Sequence, residues 1–112
     1  MKKIEAFIQP FMLSHVLKEL RGIHAHGLTV TDVRGFGRQK DESFPHHTAD
    51  YAVDFTPKTR LEILCRDEDV EGYVEAILKG AHTGRTGDGK VFVIALERVI
   101  SVRTRAVAEE AI

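Results

Sequence analysis

The chain has 112 residues, which is one domain with room for a single modest core. Its net charge is −1 with histidines neutral, so no bulk electrostatic attraction points to nucleic acid or an anionic membrane. Cys65 stands alone, which excludes an intrachain disulfide framework. With no apolar run near membrane-span length, and no signal-peptide core after Met1-Lys2-Lys3-Ile4, a cytoplasmic protein is expected.

Residues 2–9 alternate, with Ile4, Ala6 and Ile8 on one face, and predict a half-buried strand stopped by Pro10. Leu13, Val16, Leu17 and Leu20 then follow helical spacing. Gly22 and Gly27 bracket a loop carrying His24 and His26, and the β-branched run 28–33 predicts a second strand. From Gly37 to Ala52 the apolar pattern fails. A polar stretch this long inside a compact domain reads as a functional, mobile loop. Strand character resumes at 53–55 and 60–65. Asp67-Glu68-Asp69 opens a second helix at its favourable dipole end, and Val70, Tyr73, Val74, Ile77 and Leu78 form its apolar stripe. A last strand is expected over 91–96, and the tail from about residue 106 is expected to fray.

Between the second helix and the last strand lies Thr83-Gly84-Arg85-Thr86-Gly87-Asp88-Gly89-Lys90. Its glycines let backbone N–H groups converge on an anion, and the lysine adds a point charge. The spacing mimics a P-loop, but Val91 places no hydroxyl for magnesium, and the predicted order is helix–loop–strand rather than strand–loop–helix. Two readings stay open at this point: a phosphate cradle, or a plain glycine turn.

The order β-α-β-(long loop)-β-α-β predicts a ferredoxin-like α+β fold with a four-stranded antiparallel sheet. Two helices would cover one sheet face. The other would carry Phe7, Leu64 and Phe92 with no cover, which argues for self-association.

Several separate stretches, in order, resemble the PII signal-transduction family of trimeric sensors of adenine nucleotide and 2-oxoglutarate. They are residues 1–11, residues 29–40 leading into the long loop, Ala49-Asp50-Tyr51-Ala52-Val53-Asp54-Phe55 on its return, the glycine stretch with Val91-Phe92, and Val99-Ile100-Ser101-Val102-Arg103-Thr104. The resemblance implies one PII-like domain over 1–112, with a T-loop at about 37–55, a B-loop at 82–90 and a C-terminal loop at 99–112. It implies ATP or ADP bound between subunits of a homotrimer. Gly87, Asp88, Gly89 and Lys90 would hold the phosphates, approached by Gly37, Arg38 and Gln39. Thr29, Glu62 and Leu64 would surround the base, and Arg103 would reach the phosphates from the neighbouring subunit. With Mg-ATP, Gln39 would coordinate the metal and Lys58 would pair with 2-oxoglutarate, a reasonable set for a hard cation and a keto acid. Tyr51 matches a tyrosine nucleotidylylated in some members. The T-loop would act on a membrane transporter or regulatory enzyme in nitrogen regulation, without catalysis.

The chain departs from that pattern in places. Ser101 stands where the family usually has a first arginine, and Arg105 lies two residues past Arg103. In an extended segment 101, 103 and 105 would share a face, which would let Arg105 compensate. His47, beside His46, replaces the arginine that plugs an ammonium channel, and Gln9 replaces a lysine. Paired loop histidines pooled over three subunits would bind zinc, copper or nickel, in a regulator of a metal or anion transporter. Solvated histidines are the simpler reading, since no zinc-finger spacing accompanies them. A small phosphatase is the third reading. The sequence places no Ser/His/Asp or Cys/His constellation for it, and Cys65 reads as core.

Overall fold

The computed structural model describes residues 1–36 and 55–112. Four strands, β1 (Lys2–Ile8), β2 (Thr29–Gly35), β3 (Thr56–Cys65) and β4 (Gly89–Ala95), form one antiparallel sheet in the order β2-β3-β1-β4. Helix α1 (Leu13–Gly22) follows β1 and helix α2 (Val70–Ala81) follows β3. This is the ferredoxin-like arrangement expected from the element order.

Alternation builds the core. Ile4, Ala6 and Ile8 of β1 and Leu61, Ile63 and Cys65 of β3 turn to the helices, which cover them with Val16, Leu20, Tyr73, Ala76 and Ile77. Burying a large aliphatic side chain contributes about 1.5–3 kcal/mol, so this layer supplies most of the folding drive. Cys65 is buried, and burial pushes its thiol up, which keeps it protonated and inert. The uncovered face carries Phe7, Leu64, Phe92 and Ile94 around Lys3, Glu5, Arg60 and Glu62; Leu64, Phe92 and Ile94 are all more than 40% exposed.

Three elements differ from the sequence reading. Strand β3 runs unbroken through Pro57, Lys58 and Thr59. Pro57 is tolerated because its pairing is with Arg34 of β2 alone: β1 starts pairing with β3 only at Thr59, so one edge of β3 is open there. Strand β4 begins two residues early, at Gly89, inside the glycine stretch. The tail does not fray at 106. Ile100 bridges Val107, and the Ala108 N–H donates to the Val99 carbonyl at 3.0 Å.

The helices touch through Gly80. A Cβ there would lie 2.6 Å from Val16 Cα and 2.9 Å from the His15 carbonyl oxygen, backbone atoms that cannot rotate away. Gly72, in the same helix, has nothing within 4 Å of such a Cβ. Gly80→Ala is therefore expected to lower stability by about 1–3 kcal/mol in urea denaturation, as overpacking does. Gly72→Ala is expected to raise it by about 0.5–1 kcal/mol, through helix propensity alone. Equal effects at the two positions would mean the interhelical contact is not the constraint.

Candidate nucleotide site

The glycine stretch leaves α2 at His82, whose extended backbone ends the helix. Gly84, Gly87 and Gly89 have φ of 85°, 98° and 112°, the left-handed region that favours glycine. Gly89 has a second reason to be glycine. It pairs with Ile8 of β1, and an added Cβ would lie 1.7 Å from the Phe7 carbonyl oxygen. The end of the loop is thus pressed onto the first strand.

Inside the loop the chain satisfies itself. Asp88 Oδ2 accepts the N–H groups of Thr83 at 2.8 Å and Gly84 at 2.9 Å, and Oδ1 accepts the Thr83 hydroxyl. The Thr83 hydroxyl in turn accepts the Arg85 N–H at 3.2 Å. His82 Nδ1 lies 3.8 Å from Asp88 Oδ2. Partial burial pushes the Asp88 carboxyl up, but the Thr83 hydroxyl, the two N–H groups and nearby His82 outweigh it and hold it below the usual aspartate range. From the sheet, Lys58 Nζ donates to the Gly87 carbonyl at 2.7 Å and pins the loop's outer turn. Lys90 is exposed and forms no ion pair among the described residues.

The residues expected around the base lie further back along the sheet, Thr29 and Glu62 in the row of Glu5 midway along β1 and Leu64 in the row of Lys3. Thr29 pairs with Glu62, and Leu64 pairs with Lys3, which in turn pairs with Ile94. The Glu62 carboxylate is already engaged, 3.3 Å from Lys3 Nζ and 3.4 Å from Arg60 Nε. Lys90 sits in a different row, opposite Phe7. At about 3.4 Å per residue, Leu64 and Lys90 are about 14 Å apart along the strands and a further two strand spacings across. The C-terminal loop starts from the row of Lys2, since β4 runs about 20 Å alongside β1 before reaching it.

That C-terminal loop is a turn, not an extended segment. Ser101 N–H donates to the Ala106 carbonyl at 2.8 Å and Arg105 N–H to the Ser101 carbonyl at 2.9 Å, while Ser101 Oγ accepts the Thr104 N–H at 3.4 Å. Arg105 has φ of 62°. The alternation that would put 101, 103 and 105 on one face is broken, so the expected sharing of a face by Arg103 and Arg105 is corrected. Ser101 closes the turn instead.

Of the other expected residues, Gly37, Arg38, Gln39, His46, His47 and Tyr51 lie outside the described residues. The neck of the long loop is described: the Phe36 and Phe55 rings meet edge to face at 5.2 Å, beside the last ladder pair Gly35–Thr56. Beside the neck, a cleft of about 830 Å³ is lined by Pro10, Asp32, Val33, Arg34, Phe55, Pro57 and Lys58. Sequence reasoning missed the clasp by Asp88. The available signal was an aspartate five residues after a threonine whose hydroxyl and N–H both need acceptors. It noted Gln9 as a departure but not its burial: Gln9 is 2% exposed, with its Oε1 unpartnered among the described residues. Continuing the β1 register by one residue places Gln9 in the row of Lys58 and Asp88.

A ferredoxin-like sheet with a long insertion between β2 and β3 and a glycine loop ahead of β4 is the architecture of PII signalling proteins. The family model described as nitrogen regulatory protein P-II matches residues 1–106. The chain is 51% identical to the nitrogen regulatory protein P-II of Pasteurella multocida and 50% identical to that of Haemophilus influenzae, each over all 112 residues and the full length of both chains. The solved structure of Arabidopsis thaliana PII bound to citrate superposes with a TM-score of 0.81 at 36% identity, covering 98% of this chain and 90% of that one. The chain belongs to the nitrogen regulatory P-II family, whose members are regulators. Among the described residues no helix is long and apolar enough to cross a membrane.

The depressed Asp88 carboxyl sets a pH dependence with a definite sign. Its contribution to the folded loop is fully present above the ordinary aspartate value, about 3.9, and is lost as pH falls through the lower folded value. Backbone N–H protection at Thr83 and Gly84 is expected to persist at about pH 4 and to collapse below it, measured by hydrogen exchange with correction for intrinsic rates. Protection that survives far into acid would show that the Asp88 carboxylate does not hold the loop.

Proposed function

We propose that this protein is a homotrimeric, cytoplasmic PII signal transducer that binds ATP or ADP between subunits and acts, without catalysis of its own, on a partner enzyme or membrane transporter in nitrogen regulation. The observation that carries the reading is the split of the expected site. Gly89 and Lys90 lie where β1 ends, whereas Leu64 lies about 14 Å back along the strands and two strand spacings across, and the C-terminal loop that carries Arg103 follows β4 from the Lys2 row. A neighbouring chain that supplies one of these sets would bring them onto one nucleotide. The uncovered apolar face, with Phe7, Leu64, Phe92 and Ile94, supports the neighbour's presence.

The phosphate end suits its guest. Lys90 is exposed and forms no ion pair among the described residues, and the loop N–H groups after Arg85 are not taken by the Asp88 clasp. Lys58, at the wall of the cleft beside the loop neck, suits an organic carboxylate such as 2-oxoglutarate, and the citrate held by the Arabidopsis PII structure is a ligand of that chemistry. Magnesium would be bound through Gln39 and phosphate oxygens, with the long loop reporting occupancy to the partner.

Light scattering on the purified protein is expected to give three chains. Calorimetry is expected to show ATP and ADP binding, and Lys90→Ala or Arg103→Ala is expected to weaken it by the about 1.5–3 kcal/mol typical of a charge-assisted contact. A stable monomer, or affinities unmoved by both variants, would remove the basis for an intersubunit site. Deleting residues 43–50 is expected to leave trimer and nucleotide affinity intact while abolishing partner capture. A shortened loop that still engages the partner would show that the output surface lies elsewhere.

A further inference from the structure

We infer that the Asp88 carboxylate is the glycine loop's internal anion: a positioning residue that shapes the phosphate cradle rather than a contact to the phosphate. The inference rests on the nucleotide reading above and assigns Asp88 a different part within it.

Three successive N–H groups, those of Thr83, Gly84 and Arg85, turn inward. The first two reach Asp88 Oδ2 directly, and the third reaches the Thr83 hydroxyl, which donates to Asp88 Oδ1. Converging backbone N–H groups of this kind form a nest that takes an anion. Here the anion is supplied by the chain itself, five residues on. A phosphate at the same place would meet a filled nest and a like charge. The half of the loop open to a foreign anion is therefore Thr86 to Gly89, with Lys90 beside it.

The geometry explains how a carboxylate can sit in a phosphate loop at all. Its charge is spent on the inner N–H groups, which hold it ionised. By fixing Thr83 to Gly84 it fixes the turn at Gly84, and the outer turn is held independently by Lys58 on the Gly87 carbonyl. A trans peptide sends its carbonyl and N–H in opposite directions, so anchoring the Gly87 carbonyl on Lys58 also sets which way the Asp88 N–H faces. The loop is thus shaped from both sides before any ligand arrives, and little ordering cost is left for binding.

The test uses Asp88→Asn, which keeps size but removes the charge and one acceptor, and Thr83→Val, which removes the hydroxyl relay. Hydrogen exchange on the unliganded trimer is expected to show the Thr83 and Gly84 amides of Asp88→Asn exchanging about tenfold faster or more, with strand amides unchanged. Calorimetry is expected to show ATP and ADP affinity falling about tenfold in Asp88→Asn while adenosine affinity barely moves, as loss of one charge-assisted network predicts. Because both side chains act through one clasp, the double variant should bind ATP no more weakly than Asp88→Asn alone. Tighter ATP binding by Asp88→Asn, unchanged exchange at Thr83 and Gly84, or additive losses in the double variant would each overturn the inference. Wild-type protein that binds no adenine nucleotide would overturn the functional reading instead, and the exchange arm would still decide whether Asp88 holds the loop.

Discussion

The contact on which the site depends is the approach of Gly89 to the Phe7 carbonyl. Every other feature of the loop is referred to it. Because Gly89 pairs with Ile8, β4 starts inside the loop and Lys90 is delivered onto the open sheet face opposite Phe7. The same strand β1 pairs on its other side with β3, which puts Lys58 within reach of Gly87. A one-residue slip in either ladder would send Lys90 and Lys58 to the helix side. No side chain could bridge the difference, since a Cβ at 89 has no room at all. The loop is therefore an extension of the sheet's register, not an appendage to it.

On the proposed reading, that register is also why one chain would not suffice. Strand pairing is rigid over seven residues, so the two ends of the sheet stay about 20 Å apart whatever the loops do. Lys58 and Lys90 stand toward the end of β1, and the C-terminal loop that carries Arg103 follows β4 from the row of Lys2. Midway along β1, Glu62 lies against Lys3 and Arg60, which leaves the open face near charge balance while its apolar residues stay uncovered. A surface of that kind suits burial against copies of itself, where paired charges lose less on desolvation than isolated ones would.

The fold was legible because its signals are local. Alternation in β1 and helical spacing at Val16, Leu20, Tyr73 and Ile77 each fix a face, and the element order leaves few ways to arrange them. What escaped has a common physical cause. The start of β4 at Gly89 depends on a partner strand residue, Ile8, 81 positions earlier, and glycine hides strand character. The extension of β3 through Pro57 depends on β1 having ended. Arg105 was expected on a shared face with Arg103, but hydrogen bonds between Ser101 and residues 104 to 106 close a turn that alternation cannot reveal. In the loop itself the glycines left an anion cradle and a plain turn both open, whereas the anion at its first N–H groups, the Asp88 carboxylate, is a fact of three-dimensional closure.

The central claim is that Lys90 and Arg103 reach one nucleotide from different chains, and subunit mixing tests it. Lys90→Ala and Arg103→Ala trimers, each weak for ATP, would be unfolded together, refolded and titrated. If the site spans two subunits, random assembly places an intact Lys90 opposite an intact Arg103 at about a quarter of the interfaces, and that fraction of sites should regain wild-type affinity. If the mixture binds ATP no better than its components, the two residues serve one chain's site and the account is wrong.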